Sequence, residues 1–355
     1  MKANGSSREA VRERHQADVA DEFLQGVKAH GRHIGCGVPQ SQAIVASRAC
    51  PAWPRLYNSA TISMTGQGMA SLRLATFKVN GRVSYGAVTD TGIIDLGRKL
   101  TKHATLIDVF RAGAIGEVRA AASGPADHQL KDVELLPPVL APEKIICVGI
   151  NYPERNAEYK DGREAPKYPN LFCRFPSSLV GSGVPIVRPK VSEKFDYEGE
   201  IVIVMGREGR HIPTDKALSH IGGLTLGNEG SIRDWLRHGT LNITQGKNFD
   251  ASGSLGPWIV PSDDLDPGKP LRVSTRVNGE LRQQDTTDRL TWGFAWLINY
   301  ISTFATLRPG DLIWTGTPTG AGGHHNPPKW LKPGDVVEVE VPEIGVLRNT
   351  VVDEA

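Results

Sequence analysis

The sequence predicts a mostly β chain with some α, on three observations. Glycine and proline are abundant, at 39 and 24 of 355 residues. Short apolar runs recur between turn signals, and long helical patterns are few. Two of the turns are Asn-Gly pairs, Asn80-Gly81 and Asn278-Gly279. Asn-Gly between two such runs marks a tight hairpin, because both central residues must adopt positive φ.

Taken in chain order, residues 1–68 stand apart. They are polar, basic in places and without sustained periodicity, although residues 10–27 could form a short helix. The segment is expected to be an upstream extension, a misassigned start or a disordered tail. A targeting segment fits less well, because several acids interrupt it. From 71 the rhythm changes. A strand over 71–79, the Asn80-Gly81 turn, a strand over 83–88, a turn at Thr91-Gly92 and a run over 93–96 make a small β-rich unit spanning 69–136, with a helix near 106–122. Pro137, Pro138 and Pro142 form a linker. The main domain spans 144–355, with strands expected at 144–149, 198–205, 271–277, 311–315 and 336–341. Phe294, Leu297, Ile298 and Ile301 recur at helical spacing within 292–304. Trp292 and Trp296 on that helix are expected to pack in a core and not to stack on a cofactor.

Composition removes several functions. Lys+Arg 41 against Asp+Glu 39 gives no basic excess for nucleic acid or an acidic membrane. The four cysteines, Cys36, Cys50, Cys147 and Cys173, lack zinc-site spacing or a disulfide framework, so reduced thiols and a cytoplasmic location are expected. No apolar run reaches the ~18–20 residues of a membrane span. There is no Walker loop. Ser182 lacks the G-x-S-x-G frame of a serine hydrolase, and Gly181–Gly183 is expected to be a turn.

Chemistry concentrates in Asp196-Tyr197-Glu198-Gly199-Glu200, which runs into an apolar strand. Alternation along a strand points Glu198 and Glu200 the same way. Two carboxylates on one face at an apolar strand repel and lose solvation unless a cation or proton compensates. A hard ion such as Mg²⁺ or Mn²⁺, with Ca²⁺ a further candidate, resolves the conflict. Alone, such a pair more often marks a solvated strand end. Its context changes that. Glu229 follows a Gly-flanked strand, Lys247 follows in Gly246-Lys247-Asn248-Phe249-Asp250, and the strand near 311–315 ends in Gly316-Thr317-Pro318. A small-residue loop of that kind lets amides and a hydroxyl approach an anion.

The order VGINY, DYEGE, NEGSIRD, GKNFD with GPW, and RPGDLIWTGTP resembles the fumarylacetoacetate hydrolase family, over 144 to about 352. The resemblance implies a mixed β-sandwich roll, a homodimer and a small 2-oxo acid substrate, with no nucleic-acid or membrane partner. It places metal ligands on Glu198, Glu200 and Glu229, an enolate-stabilising ammonium on Lys247, and substrate contacts on Thr317 and Gly316. Arg233 could bind a substrate carboxylate, or form an ion pair with Asp234. Two departures stand out. The third ligand is usually Asp, and the extra methylene of Glu229 moves the carboxylate by roughly 1.5 Å, so the site could be bidentate, displaced or weaker. Hydrolases of the family often carry a His-Glu dyad that activates water. Here Glu158 matches the acid, but Arg155 stands where the histidine would be. Arginine stays protonated and cannot be a general base. His324-His325 could reach the site, though a solvated loop is the preferred reading.

Together these imply a divalent-metal enzyme acting on a small 2-oxo or 2,4-dioxo carboxylic acid in catabolism. The reaction would be C–C hydrolysis or keto–enol isomerisation, with or without decarboxylation. The alternative is a catalytically weak metal- or ligand-binding member of the same fold. With Arg155 in place of a base, isomerase- or decarboxylase-like turnover is expected to exceed hydrolysis, and Arg155 could pair with a second carboxylate on the substrate.

Overall fold

The apolar run after Glu200 explains how the layers are built. In the computed structural model, which describes residues 71–158, 166–239 and 242–355, strand Gly199–Met205 is buried at every position. Its side chains alternate between two cores. Ile201, Ile203 and Met205 join Leu224, Leu226, Val273, Val339 and the helical Leu297, Ile298 and Ile301. Val202 and Val204 point the other way, into a cluster with Leu106, Val109, Phe110, Leu255 and Trp314. A strand covered on both faces reads as a continuous apolar run, and each fully buried aliphatic side chain contributes roughly 1.5–3 kcal/mol.

Among the described residues the larger sheet has eleven strands, nine along one path, with Glu134–Leu136 and Leu179–Val180 paired to it at the side. Its path runs Ile93–Asp95, Arg82–Val88, Leu74–Val79, Gly253–Pro261, Ile221–Asn228, Gly199–Met205, Leu312–Trp314, Ile145–Gly149, Asn170–Cys173. A second sheet of five strands runs Glu280–Thr286, Arg272–Val277, Val336–Val341, Gly345–Asp353, Ile186–Arg188. Side chains of both sheets meet in the first core, together with helix Phe294–Ser302. The result is the mostly β sandwich that the resemblance implies.

Both Asn-Gly hairpins form. Asn80 and Gly81 take φ of 48° and 79°, and Asn278 and Gly279 take 53° and 80°, closing the pairs Val79↔Arg82 and Val277↔Glu280. The strands between 74 and 95 lie within the large sheet, which they enter through the pair Leu74↔Ile259. Asp264 adds further ties, accepting from the Leu72 amide at 2.9 Å and from Arg119 at 2.8 Å. The single helix expected over 106–122 is instead two, Leu106–Arg111 and Ile115–Ala121. Gly113 between them has φ 61°, which a right-handed helix cannot contain. Trp292 is buried and packs on Trp296, with ring centroids 5.9 Å apart, as expected of core packing. Cys147 is buried, and Cys173 is exposed as a free thiol. Residues 1–68, with Cys36, Cys50 and the helix expected over 10–27, lie outside the described residues.

Candidate active site and metal centre

Antiparallel pairing assembles the acids. Gly199 pairs with Asn228 and Glu200 with Gly227, so Glu198 and Glu229 sit side by side just beyond the last pair. The Glu229 amide donates to the Glu198 carbonyl at 2.7 Å, and Asn228 Oδ1 accepts from the Glu198 amide at 3.1 Å. Two glycines permit this crowding. A Cβ on Gly227 would meet the Trp314 ring at 2.3 Å, and one on Gly230 would meet the Ser252 carbonyl at 1.7 Å. Glu198, Glu200 and Glu229 are all buried, and each brings a carboxylate oxygen within 4.8 Å of the others.

Glu198 and Glu200 are in opposite electrostatic states. Burial alone would raise the Glu198 pKa, but Arg233, Lys247 and Arg155 outweigh it and hold the carboxyl well below its usual range. Arg233 donates to it at 2.7 Å, Arg155 at 2.8 Å and Ser231 at 3.2 Å, and Lys247 is also bonded to it. Glu200 is the reverse. Burial and the charges of Glu229 and Glu198 push it well above the carboxylate range, and the Gly316 amide at 2.8 Å only partly offsets them. Glu229 accepts from Lys247 at 2.9 Å, yet its buried Oε1 has no hydrogen-bond partner among the described residues. An unsatisfied buried carboxylate oxygen beside a carboxyl driven towards protonation is what a hard cation would relieve. The donor set is all oxygen, so these residues fit Mg²⁺ or Mn²⁺. The Glu at 229 reaches the cluster despite its extra methylene.

Lys247 ends the short helix Thr244–Lys247 and is buried. Burial disfavours its ammonium form, but Glu198 and Glu229 more than compensate, so its pKa is raised. It is therefore a cationic donor and no base. Arg155 is buried in helix Pro153–Glu158, where it bonds Glu158 within the helix and Glu198 across the site. The Gly320 amide donates to Glu158 at 2.8 Å. Arg233 pairs with Asp196 and Glu198, both at 2.7 Å. The ion pair with Asp234 does not form, because Asp234 faces Ser192, which donates to it at 2.6 Å. Adjacent residues Arg233 and Asp234 diverge because the chain turns there, after strand Ser231–Ile232. Thr317 Oγ1 donates to the Gly199 carbonyl at 2.9 Å and accepts from Gln283 at 2.8 Å. The Gly316–Thr317 loop thus braces the acid strand.

A cavity of about 560 Å³ opens over this cluster, walled by Arg155, Glu158, Arg233, Lys247, Thr317 and His324 among others. The expectation of a merely solvated His324 loop is corrected here. His324 forms part of the wall, with its Nδ1 3.1 Å from the Glu158 carbonyl. Asp196 pins that loop, accepting from the Gly322 and Gly323 amides at 2.7 and 2.9 Å. Four further residues were not singled out in the sequence. Arg174 is fully buried 4.0 Å from Glu229. Asp196 opens the DYEGE motif, and that position was its only signal. Lys194 and Arg237 line the cavity as exposed cations without a side-chain ion pair among the described residues.

Comparison with known proteins agrees. The family described as fumarylacetoacetate (FAA) hydrolase C-terminal matches residues 144–352. The chain is 39% identical over 220 residues to the Rattus norvegicus protein named oxaloacetate tautomerase Fahd2a, mitochondrial, covering 62% of this chain and 70% of that one. It is 37% identical over 267 residues to the Bos taurus oxaloacetate tautomerase FAHD2B, mitochondrial, covering 74% and 84%. Among solved structures, a fumarylacetoacetate hydrolase from Exiguobacterium antarcticum superposes with a TM-score of 0.70 at 34% identity, over 80% of this chain and all of that one. A 5-carboxymethyl-2-hydroxymuconate delta-isomerase from Mycobacterium smegmatis gives 0.63 at 31% identity, over 80% and 99%. The match over 144–352 and the likeness to these relatives and structures show that the chain belongs to the fumarylacetoacetate hydrolase family, as an enzyme of keto–enol or hydrolytic type.

Proposed function

We propose that this protein is a divalent-metal-dependent keto–enol tautomerase for a small 2-oxo dicarboxylic acid. One observation carries the reading. Where a hydrolase of this family places a histidine to activate water, this chain buries Arg155 and clamps it between Glu158 and Glu198. A fixed positive charge cannot deprotonate water. Tautomerisation needs no attacking water, only a proton moved between carbon and oxygen. The names of the mammalian relatives, oxaloacetate tautomerases, support the same class.

Glu198, Glu200 and Glu229 would hold the ion, which when bound supplies Lewis-acid polarisation of the 2-oxo group. The chain's own residues do the rest. Lys247, kept cationic by Glu198 and Glu229, offers a donor to the oxygen on which charge develops. Because Arg155 and Arg233 are engaged by internal carboxylates, they are poor partners for a substrate's second carboxylate. Lys194 and Arg237, on the outer wall, fit that role, and they attract a dianion through the open mouth.

The test is direct. Enol-to-keto conversion of oxaloacetate and hydrolysis of an acylpyruvate are followed by ultraviolet absorbance on one preparation with Mg²⁺ or Mn²⁺. Faster tautomerisation, lost on chelation, is expected. Acylpyruvate hydrolysis as the dominant reaction would overturn the proposal, and metal binding without either reaction would point to a binding protein.

A further inference from the structure

Asn151, in the motif that follows strand Ile145–Gly149, is fully buried outside the wall of the cavity. Its carboxamide is engaged at both ends by main chain. Nδ2 donates to the Trp292 carbonyl at 3.0 Å and to the Thr315 carbonyl at 2.8 Å, and Oδ1 accepts from the Trp292 amide at 2.8 Å. Trp292 thereby fixes which end faces Thr315, because exchanging oxygen and nitrogen would set acceptor against acceptor. The residue before it, Ile150, has φ 60°, a left-handed conformation that a β-branched side chain adopts only under constraint. The Thr315 carbonyl and the Gly316 amide belong to one planar trans peptide, so they point in opposite directions. The carbonyl takes the Asn151 donor, and the amide donates to Glu200 Oε2 at 2.8 Å. Gly316 has φ 98°. A peptide followed by glycine can present either face, which is the difference between type I and type II turns. Reversed, this one would set its oxygen against the Glu200 carboxyl. The Thr315 and Thr317 hydroxyls donate to the Ile201 and Gly199 carbonyls at 2.8 and 2.9 Å. They strap the loop to the acid strand without choosing the face of the peptide between them.

We propose that Asn151 is a positioning residue for the metal site, locking the Thr315–Gly316 peptide with its N–H on Glu200. The inference rests on the divalent-metal reading of the acid cluster. The relay runs from the Trp292 amide through the Asn151 carboxamide and the Thr315–Gly316 peptide to Glu200. Each link donates to the next, so the dipoles align and reinforce one another. Asn151 also packs tightly behind the loop, since a Cβ on Gly316 would meet the Asn151 Cβ at 2.7 Å. A group that orients a ligand from outside the coordination shell acts on ion affinity, and Glu200 is the acid of the cluster that Asn151 reaches in this way.

The experiment uses the full chain and measures Mg²⁺ and Mn²⁺ binding by calorimetry, beside thermal unfolding, for unmodified protein, Asn151→Asp, Asn151→Ala and Leu74→Ala. Aspartate keeps the size of Asn151 but, when ionised, cannot donate to Thr315. Leu74, fully buried in strand Leu74–Val79, supplies a loss of stability from outside the acid cluster. Expected is a ~10–100-fold loss of affinity in both Asn151 variants, with Leu74→Ala within about twofold of unmodified protein. A purely structural role would lower Tm in all three and leave the affinity of the folded protein alone. An Asn151→Asp affinity within about twofold of unmodified overturns the proposal, and so does an equal loss in Leu74→Ala. Hydrogen exchange on the unmodified protein tests the lock even where a variant does not fold. The Gly316 amide should be strongly protected, and exchange as fast as at the exposed Gly124 amide overturns the proposal. Absence of Mg²⁺ and Mn²⁺ binding by the unmodified protein would overturn the metal reading, and this assignment with it.

Discussion

Replacing Arg155 by alanine tests the electrostatic frame and the reaction class together. Arg155 is 2% exposed and donates to the equally buried Glu198 at 2.8 Å, while its other arm holds Glu158. Removing it deletes one of three cations on Glu198 and leaves Glu158 without its ion pair. Truncating one partner of a buried pair typically costs about 3–5 kcal/mol. Arg233 and Lys247 remain on Glu198, so the lower end, about 3 kcal/mol, is expected. In a domain of this size that is a fall of roughly 6–12 °C in Tm. The assay pairs urea unfolding with both reactions on the same preparations, and adds Arg155→His. That variant should recover some stability at low pH, where imidazole is charged, and should gain acylpyruvate hydrolysis relative to tautomerisation. A stability loss under about 1 kcal/mol would refute the keystone role of Arg155. Efficient C–C hydrolysis by the unmodified enzyme, undiminished in Arg155→Ala, would show that another base activates water and would refute tautomerisation as its reaction.

Three further outcomes are expected. Because burial and the neighbouring Glu229 and Glu198 drive Glu200 towards its neutral form, Glu200→Gln should fold normally while losing at least tenfold in Mg²⁺ affinity by calorimetry; undiminished affinity would remove Glu200 from the ligand set. Lys194→Ala with Arg237→Ala should raise KM for oxaloacetate about two- to fivefold per charge, from ~0.4–1 kcal/mol each at exposed sites, with no change for a monocarboxylic 2-oxo acid, and an equal rise for both substrates would refute distal carboxylate binding. Burial raises the Asp95 pKa, but Ser84, Arg82 and His128 prevail and hold it below the usual carboxylate value. Its stabilisation is therefore present above the unfolded Asp value near 3.9 and is lost as pH falls through the lowered folded value, so Asp95→Asn should flatten the acid limb of a stability–pH curve.

Much of this molecule was legible in the chain. Period-two geometry alone puts Glu198 and Glu200 on one face, since alternate strand residues must share a side. Asn80-Gly81 and Asn278-Gly279 specify their hairpins because few residue pairs tolerate two successive positive φ values. These are local constraints, written within a few residues. The tertiary structure decided what depends on distant segments meeting. Arg233 chooses Asp196 over its neighbour Asp234 because the sheet pairing Ser231↔Asp196 brings that acid alongside. The break at Gly113 divides one expected helix, since the backbone there adopts a left-handed turn. His324 enters the cavity wall because Asp196, more than a hundred residues earlier, captures the amides of its loop. Lys194, Arg237 and Arg174 carry no periodic or motif signal. Their importance comes from charge placed in space, and Coulomb energy depends on distance through the folded protein, not on separation along the chain.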